Sequence, residues 1–237
     1  MPKHTRTVQH NVYVYVDTVL FTLIDGVLNV LVVKRKTAPD GKFALPGGLV
    51  EDGETLAEAA SRELYEETEM EFRPENLLQI GAYGDPDRDT RYGRAISVAF
   101  LAMTPNPPVP NAGSDATSTQ FIEYRKARKP GVLEFDHRNI VGDARRLASR
   151  QLEDTAIALN FCEEEFTIGE LRIVYEAFYQ RELDPANFRR KVEKIDGFII
   201  PQKSLSLSES AGRPARLYKR GKKQDLYPPI YFRRQDQ

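Results

Sequence analysis

The first half of the chain alternates between apolar and polar residues in the manner of β-strands. Residues 12–24 and 27–34 are rich in β-branched and aromatic side chains, and Asp25-Gly26 between them is a turn signal, so we predict a hairpin. Further strands are predicted near residues 77–83, 95–103 and 120–124. Good helix formers with apolar residues at helical spacing predict a helix over residues 55–70. A second helix, over residues 139–159, is expected to close this module.

The back of the chain has a different pattern. Thr167 with Glu170 three residues later has the spacing of a capping box, which predicts a helix that runs through residue 179. Asp184-Pro185 predicts the start of another helix that reaches residue 194, because Pro is favoured in the first turn and Asp before it can cap. Residues 198–200 and 216–218 predict a two-stranded wing. Helix, helix and hairpin together indicate a winged helix-turn-helix.

Composition narrows the class of protein. The 237 residues are 41% hydrophobic and 29% charged, which fits one large or two modest globular domains and excludes collagen, wholesale disorder and an integral membrane protein. No apolar run reaches the ~20 residues of a spanning helix, and the chain begins without a signal-peptide pattern. The single cysteine, Cys162, cannot form an internal disulfide. We therefore expect a cytoplasmic protein with no membrane partner.

Charge is distributed unevenly between the two ends. Residues 181–237 carry 14 Lys and Arg against 7 Asp and Glu, whereas the remainder carries 20 against 28. The net charge of -1 thus hides a basic back of +7 and an acidic front of -8. This asymmetry suggests two modules with different partners, although a solvated basic tail would also produce it.

The residues with the clearest chemistry lie in one stretch of the front module. Glu63 and Glu67 are four residues apart on the predicted helix and Glu66 lies beside them, so their carboxylates share one face. Three like charges repel unless a cation arrives, and Mg²⁺ prefers such oxygen ligands. Arg62 is expected to point away from this face and to hold Glu54 through a bidentate ion pair. Gly47 would let a backbone carbonyl join the metal ligands. The alternative is an ordinary solvated acidic face.

This stretch resembles the Nudix box, in which a glycine, a glutamate and an Arg-Glu helix follow at fixed spacing. The matching residues are Gly48, Glu54, Arg62, Glu63, Leu64, Glu66, Glu67 and Met70. Glu69 stands where the pattern has its last glycine, which puts the end of the helix in question. The resemblance implies an α/β/α sandwich around a mixed sheet. It also implies that Glu63, Glu66 and Glu67 bind Mg²⁺ or Mn²⁺, which activates a water that attacks a pyrophosphate linkage.

Two further segments are similar to the Nudix subgroup that handles ADP-ribose. They are residues 85–91 and residues 135–137. The resemblance implies ligand contacts from Arg88 and Arg91, with Arg35 and Phe135 in the same set. A charged turn is the alternative for the two arginines, and packing or capping is the expected role of His137.

The basic end carries arginines and lysines at positions that suit duplex DNA. The expected DNA-binding residues lie on the second helix and the wing: Arg189, Arg190, Lys194, Arg213, Arg216 and Lys219. The alternative is an ordinary charged surface, or a domain for dimerisation or substrate closure.

The whole arrangement resembles the Nudix-related transcriptional regulators of NAD metabolism and their hydrolase relatives. We expect an N-terminal arm (1–10), a Nudix domain (11–158) and a C-terminal winged helix (159–237). The resemblance implies a homodimeric regulator that senses ADP-ribose and binds a DNA operator. Because this chain keeps every acidic position of the box, pyrophosphatase chemistry is expected as well. A plain ADP-ribose pyrophosphatase, and a regulator that responds to a sugar or another nucleotide, are the alternatives.

Overall fold

The structure is a computed structural model that describes residues 11–35, 41–89, 93–105, 107, 116–205 and 214–232. Its contacts divide the chain into two compact units. One comprises Met1–Val19, Leu31–Ala102 and Val109–Val141, and the other comprises Leu20–Val30, Met103–Pro108 and Gly142–Gln237. The predicted N-terminal arm (1–10), the predicted ligand residue Arg91 and the predicted DNA-binding residue Arg213 lie outside the described residues.

A six-stranded mixed sheet is the framework of the front of the chain. Its main strands follow the order β4-β5-β1-β2-β6, and β3 pairs with β1. The predicted hairpin is confirmed, with Ile24 opposite Val27 and positive φ angles of 51° at Asp25 and 74° at Gly26 in the turn. The strands are β1 Val12–Ile24, β2 Val27–Arg35, β3 Gly47–Leu49, β4 Leu78–Tyr83, β5 Arg94–Met103 and β6 Ala116–Glu123.

Helix α1 spans Leu56–Thr68 and confirms the predicted helix. Thr55 caps it, with Glu58 as the reciprocal partner of a capping box. Ala59, Ala60 and Leu64 are buried along one face, and the acidic Glu67 is buried with them. The helix ends at Glu69, whose φ of 58° and ψ of 19° are the left-handed conformation that glycine usually provides. The helix therefore ends where the family pattern expects, without the glycine.

Helix α2 spans Tyr124–Ala127 and α3 spans His137–Asp154. The prediction of one helix over residues 139–159 is wrong at its end. Thr155 is extended, and its hydroxyl accepts a hydrogen bond from the Ile157 N–H, which starts a separate 3-10 helix over Ala156–Phe161. The hydroxyl thus competes with the continuing helix for backbone donors.

The C-terminal elements form a helical pair and a small sheet. Both predicted helices are confirmed as α4 Ile168–Tyr179 and α5 Pro185–Glu193, capped by Thr167 and Asp184. The wing strands are β8 Ile199–Leu205 and β9 Arg216–Arg220. A third strand, β7 Phe166–Thr167, was not predicted because two residues are too few to show a period; it completes the order β7-β9-β8. The buried aromatic side chains here include Phe166, Tyr175, Phe178, Phe188 and Phe198.

Across the residues that the structure describes, no helix combines the length and the apolar character needed to cross a membrane.

Candidate functional site

Arg62 of α1 fixes the preceding loop to the helix. Its Nε lies 3.0 Å from Glu54 Oε2 and its Nη2 lies 2.7 Å from Glu54 Oε1, which is the predicted bidentate ion pair. The same Nη2 donates to the Leu49 carbonyl at 3.1 Å. The hydrogen bonds from Arg62 lower the pKa of Glu54. The same hydrogen bonds to Glu54 are the main cause of the raised pKa of Arg62. The loop and the helix therefore act as one rigid element.

The expectation that Arg62 points away from the glutamate face is wrong. Its third nitrogen, Nη1, lies 2.8 Å from Glu63 Oε1 and 3.4 Å from Glu66 Oε2. A guanidinium presents donors along several edges of one plane, so a single arginine serves the loop and the acidic face together. This positive charge relieves part of the repulsion between the two glutamates.

Glu67 is buried at the base of the acidic face, with 7% of its surface exposed. Its Oε2 accepts a hydrogen bond from the Gly47 N–H at 3.0 Å. Burial raises the pKa of Glu67 to about 7, although the charge of Arg35 and the Gly47 N–H act in the opposite direction. Burial also raises the pKa of Glu63, against the stabilising contact from Arg62.

The two glycines of β3 allow the backbone to approach these carboxylates. A Cβ added at Gly48 would lie 2.1 Å from Glu63 Oε1, and one at Gly47 would lie 2.1 Å from the Val16 carbonyl oxygen. Neither position can hold a side chain without displacing its neighbours. The Gly47 carbonyl accepts a hydrogen bond from Arg35 Nη2 at 3.0 Å, so Arg35 reaches the same place.

The donor set of this face suits a hard divalent cation. Glu63, Glu66, Glu67 and the Gly47 carbonyl offer only oxygen atoms as donors. Within the described ranges, no group of three His, Cys, Asp or Glu side chains is arranged closely enough to hold a metal ion. The metal-binding roles of the three glutamates accordingly stay predictions.

A second cluster of charged side chains is buried in the front domain around Arg88. Arg88 has a side chain that is only 4% exposed, and it contacts Asp136 Oδ1 at 2.8 Å and Asp17 Oδ2 at 3.3 Å. Its Nε adds a bond to Asp136 Oδ2 at 3.1 Å. Burial would lower the pKa of Arg88, but the two carboxylates raise it overall. Its predicted contact with a ligand is untested, and its guanidinium faces protein carboxylates.

His137 and Ser97 complete the surroundings of Asp17. The Leu45 N–H donates to His137 Nδ1 at 3.0 Å, so the ring proton is on Nε2, which lies 3.3 Å from Asp17 Oδ1. The Ser97 hydroxyl donates to Asp17 Oδ2 at 2.5 Å. Although burial works in the other direction, His137, Ser97 and Arg88 lower the pKa of Asp17. His137 thus has the packing role that the sequence favoured, together with an electrostatic one.

Phe135, the third of the predicted ligand residues in the front domain, lies beside the Arg88 cluster. Its backbone φ is 47°, and its ring centroid lies 5.3 Å from that of His137.

Sequence reasoning missed Asp17 and Ser97 as members of the Arg88 cluster. Asp17 interrupts an apolar run on β1 and is 5% exposed, and a charged residue inside a buried strand was the available signal.

The predicted DNA-binding residues of the back domain differ in their surroundings. Arg189, Arg190 and Lys194 are exposed on α5 or at its end, and Arg216 is exposed at the start of β9. The Lys219 ammonium lies 3.2 Å from Glu164 and 3.4 Å from Glu165, so part of its charge is neutralised within the chain.

A cavity of about 470 Å³ brings arginines of three elements together. Arg172 of α4, Arg189 of α5 and Arg216 of β9 line it. Sequence reasoning missed Arg172. It forms an ion pair with Glu176 at 2.5 Å, and its spacing of four residues from Glu176 was a signal for a helix-surface pair rather than for this cavity.

Comparison with known proteins identifies the family. The model of the NUDIX domain matches residues 14–143, which is more than half of the chain. The chain belongs to the NUDIX family. A second model, the NrtR DNA-binding winged helix domain, matches residues 158–219, so a NUDIX domain is followed by a winged helix as the sequence indicated.

Three similar proteins illustrate the two parts of this NUDIX protein. An ADP-ribose pyrophosphatase of Methanocaldococcus jannaschii is 41% identical over 128 residues, which are 52% of this chain and 72% of the relative. The ADPR responsive transcriptional repressor NtrR of Acinetobacter baylyi is 28% identical over 208 residues, 86% of this chain and 80% of the relative. The crystal structure of Shewanella oneidensis NrtR complexed with a 27mer DNA has a TM-score of 0.64 at 26% identity and covers 89% of this chain and 98% of that one.

Proposed function

We propose that this NUDIX protein is a transcriptional repressor that responds to ADP-ribose and binds a duplex DNA operator as a cytoplasmic homodimer. The observation that carries the proposal is the similarity to the ADPR responsive repressor NtrR, because it extends over 86% of the chain and so includes both domains. The exposed basic residues of α5 and the similarity to a DNA-bound NrtR support the DNA-binding part.

The proposed ligand site lies beside the acidic face of α1. Arg35 is the candidate ligand residue that reaches this face, through its contact with the Gly47 carbonyl. Arg88, Arg91 and Phe135 remain in the proposed ligand set, with Arg88 also committed to Asp17 and Asp136. A pyrophosphate group would meet positive charge from Arg35 and would need a cation to approach the glutamates.

A retained pyrophosphatase activity is part of the proposal. The 41% identity to an ADP-ribose pyrophosphatase and the intact acidic positions of the box support it. Glu63, Glu66, Glu67 and the Gly47 carbonyl would hold Mg²⁺ or Mn²⁺. The metal, when bound, lowers the pKa of a coordinated water and neutralises phosphate charge.

The residues around this metal position would prepare the site. Arg62 holds Glu54, Glu63 and Glu66 in one network, which keeps two of the carboxylates at a fixed distance from the loop. The raised pKa of Glu67 means that a bound cation competes with a proton for this carboxylate near neutral pH. Cation binding and proton release are then linked at Glu67.

The proposed operator contacts are Arg189, Arg190, Lys194, Arg213, Arg216 and Lys219. Arg189 and Arg190 are exposed on α5, the helix that a winged helix places against DNA. Arg216 begins the wing strand β9. The ion pairs of Lys219 with Glu164 and Glu165 suggest that its contribution is the smallest of the set.

One experiment tests the repressor against the plain hydrolase. The full chain would be used to enrich duplexes from a random-sequence pool, and ADP-ribose or a nucleoside diphosphate sugar would then be titrated into the complex at fixed salt. A repressor that senses ADP-ribose changes its duplex affinity with ADP-ribose and not with the sugar nucleotide, because coupling between two sites is reciprocal. If no duplex is enriched while ADP-ribose is hydrolysed, the plain hydrolase replaces the repressor.

A further inference from the structure

The last described segment of the chain is folded back onto the winged helix. The segment of residues 224–232, here named the C-terminal strap, lies beyond the residues that the winged-helix family model matches. Two backbone hydrogen bonds hold it. The Leu226 N–H donates to the Asp154 carbonyl at 2.7 Å, and the Ile230 N–H donates to the Glu153 carbonyl at 3.0 Å. These bonds fix the strap along the end of α3.

Apolar side chains anchor the strap to the inner face of α5. The Phe232 ring stacks on Phe188 with centroids 5.2 Å apart and meets the Tyr175 ring edge-on at 5.8 Å. Leu226 and Ile230 are 3% and 2% exposed. Lys191 of α5 donates to the Tyr231 carbonyl, and its ammonium lies 5.0 Å from the centre of the Phe232 ring. The strap is therefore a packed element of this domain.

Helix α5 has a strap side and a wing side. Phe188, Val192 and Ile195 are buried, whereas Arg190 and Lys194 are exposed. On the wing side, Arg189 lines the same cavity as Arg216 of β9. On the strap side, a groove of about 390 Å³ is lined by Lys191, Lys194 and Ile195 of the α5 region and by the strap residues Pro228, Pro229, Ile230 and Tyr231.

The groove on the strap side is mostly apolar, and its polar side chains are two lysines and Tyr231. Both charged side chains that line it are lysines. Tyr231, at its edge, is 50% exposed, and Tyr227 of the same strap is 83% exposed. Hydroxyl donors and ammonium groups are the side chains that bind DNA phosphates.

We propose that the C-terminal strap is a second surface for the sugar-phosphate backbone of duplex DNA, on the side of α5 opposite the wing. Tyr231 donates to a phosphate and Lys194 neutralises it, while the arginines of the wing side contact the backbone across the same groove of the duplex. The strap thereby fixes how α5 lies in the duplex. This inference rests on the proposed function and adds Tyr231 to its operator contacts.

The experiment uses the full chain and the duplex that the unmodified protein enriches from a random-sequence pool. Binding is measured by fluorescence anisotropy between 50 and 200 mM salt for Tyr231→Phe, Tyr231→Ala and Lys194→Ala. Tyr231→Phe removes only the hydroxyl and is expected to weaken binding about tenfold, as for a hydrogen bond to a charged group. Lys194→Ala should reduce the slope of log K against log salt by about 0.9, which is one phosphate contact. Lys129→Ala, which removes an exposed charge from the NUDIX domain, is the matched control and should bind as the unmodified protein does.

The outcomes separate the strap from the proposed function. If Arg189→Ala/Arg190→Ala loses the duplex while Tyr231→Phe and Lys194→Ala bind normally, the strap inference is overturned and the repressor stands. If the unmodified protein enriches no duplex, both are overturned. Tyr231→Ala could also lose duplex binding together with a lowered melting temperature while Tyr231→Phe binds normally. That result would assign Tyr231 to packing and would also overturn the inference.

Discussion

Glu69 offers a direct test of how α1 ends without the glycine of the family pattern. Its φ of 58° and ψ of 19° lie in the left-handed region, where a Cβ costs about 1–2 kcal/mol. Glu69→Gly removes that strain and so stabilises the folded state. It also gives the unfolded chain more conformational freedom, which cancels about 0.4–1 kcal/mol of that stabilisation. The net expectation is a gain of about 0.5–1 kcal/mol in the free energy of unfolding. At about 2–4 °C per kcal/mol, the melting temperature should rise by about 1–4 °C.

The assay is differential scanning calorimetry of the full chain, with matched variants. Glu69→Ala keeps the Cβ and hence the strain, so it should leave the melting temperature within about 1 °C of the unmodified protein. Gln180 ends α4 with φ 56° and ψ 34°, and its side chain also donates to the Ala177 carbonyl. Gln180→Gly is therefore compared with Gln180→Ala, which lacks the same hydrogen bond but keeps the Cβ. A rise in Glu69→Ala equal to that in Glu69→Gly would refute the reasoning, because the Cβ would then not be the cause.

Three further predictions concern single side chains. Glu63→Gln and Glu67→Gln should each abolish Mg²⁺-dependent hydrolysis of ADP-ribose, measured as AMP release, with the melting temperature retained, because each removes an anionic ligand; turnover at the original rate in both would remove α1 from the catalytic assignment. Arg62→Ala should lower turnover by freeing Glu54, and Arg62→Lys should restore only part of it because an ammonium cannot bind bidentately. Burial, together with the charges of Glu170 and Glu163, raises the pKa of the Cys162 thiol to about 12. Alkylation by iodoacetamide at pH 8 should therefore be on the order of 10³-fold slower than in the unfolded chain, and its rate should rise about tenfold per pH unit. An equal rate in the folded and unfolded chains would contradict this burial.

Local patterns in the sequence predicted most of the secondary structure. Asp25-Gly26 predicted the hairpin, and the Thr167–Glu170 spacing predicted the capping box, because both signals act over a few neighbouring residues. The ion pair from Arg62 to Glu54 was also predicted, since the box fixes the spacing of the two residues. Thr155 shows the limit: apolar periodicity alone gave no sign that one hydroxyl would end α3.

The parts that were not predicted depend on contacts between distant residues. Arg88 reaches Asp17 across 71 positions and Asp136 across 48, and no local pattern records such a pairing. The stacking of Phe232 on Phe188 is another contact of this kind. Arg62 shows a different limit, because its sequence position does not determine how many of its donors a crowded acidic face will attract.

Arg88 distinguishes a ligand contact from a structural ion pair. Its side chain is 4% exposed and holds Asp136 through two bonds, with Asp17 as a further partner. Removal of one partner from a buried ion pair costs about 3–5 kcal/mol, because the remaining charges lose their compensation. Arg88→Ala should therefore lower the melting temperature by on the order of 10 °C, at the few degrees per kcal/mol expected for a protein of this size.

The conservative variant and a binding measurement decide between the two roles of Arg88. Arg88→Lys keeps the positive charge but loses the bidentate geometry with Asp136, so its melting temperature should fall between those of Arg88→Ala and the unmodified protein. ADP-ribose affinity would be measured by calorimetry well below both melting temperatures. If Arg88→Ala melts normally and binds ADP-ribose weakly, the guanidinium serves the ligand and the structural argument fails. If it melts early while the folded fraction binds ADP-ribose at full affinity, Arg88 supports the site through Asp17 and Asp136 and does not touch the ligand.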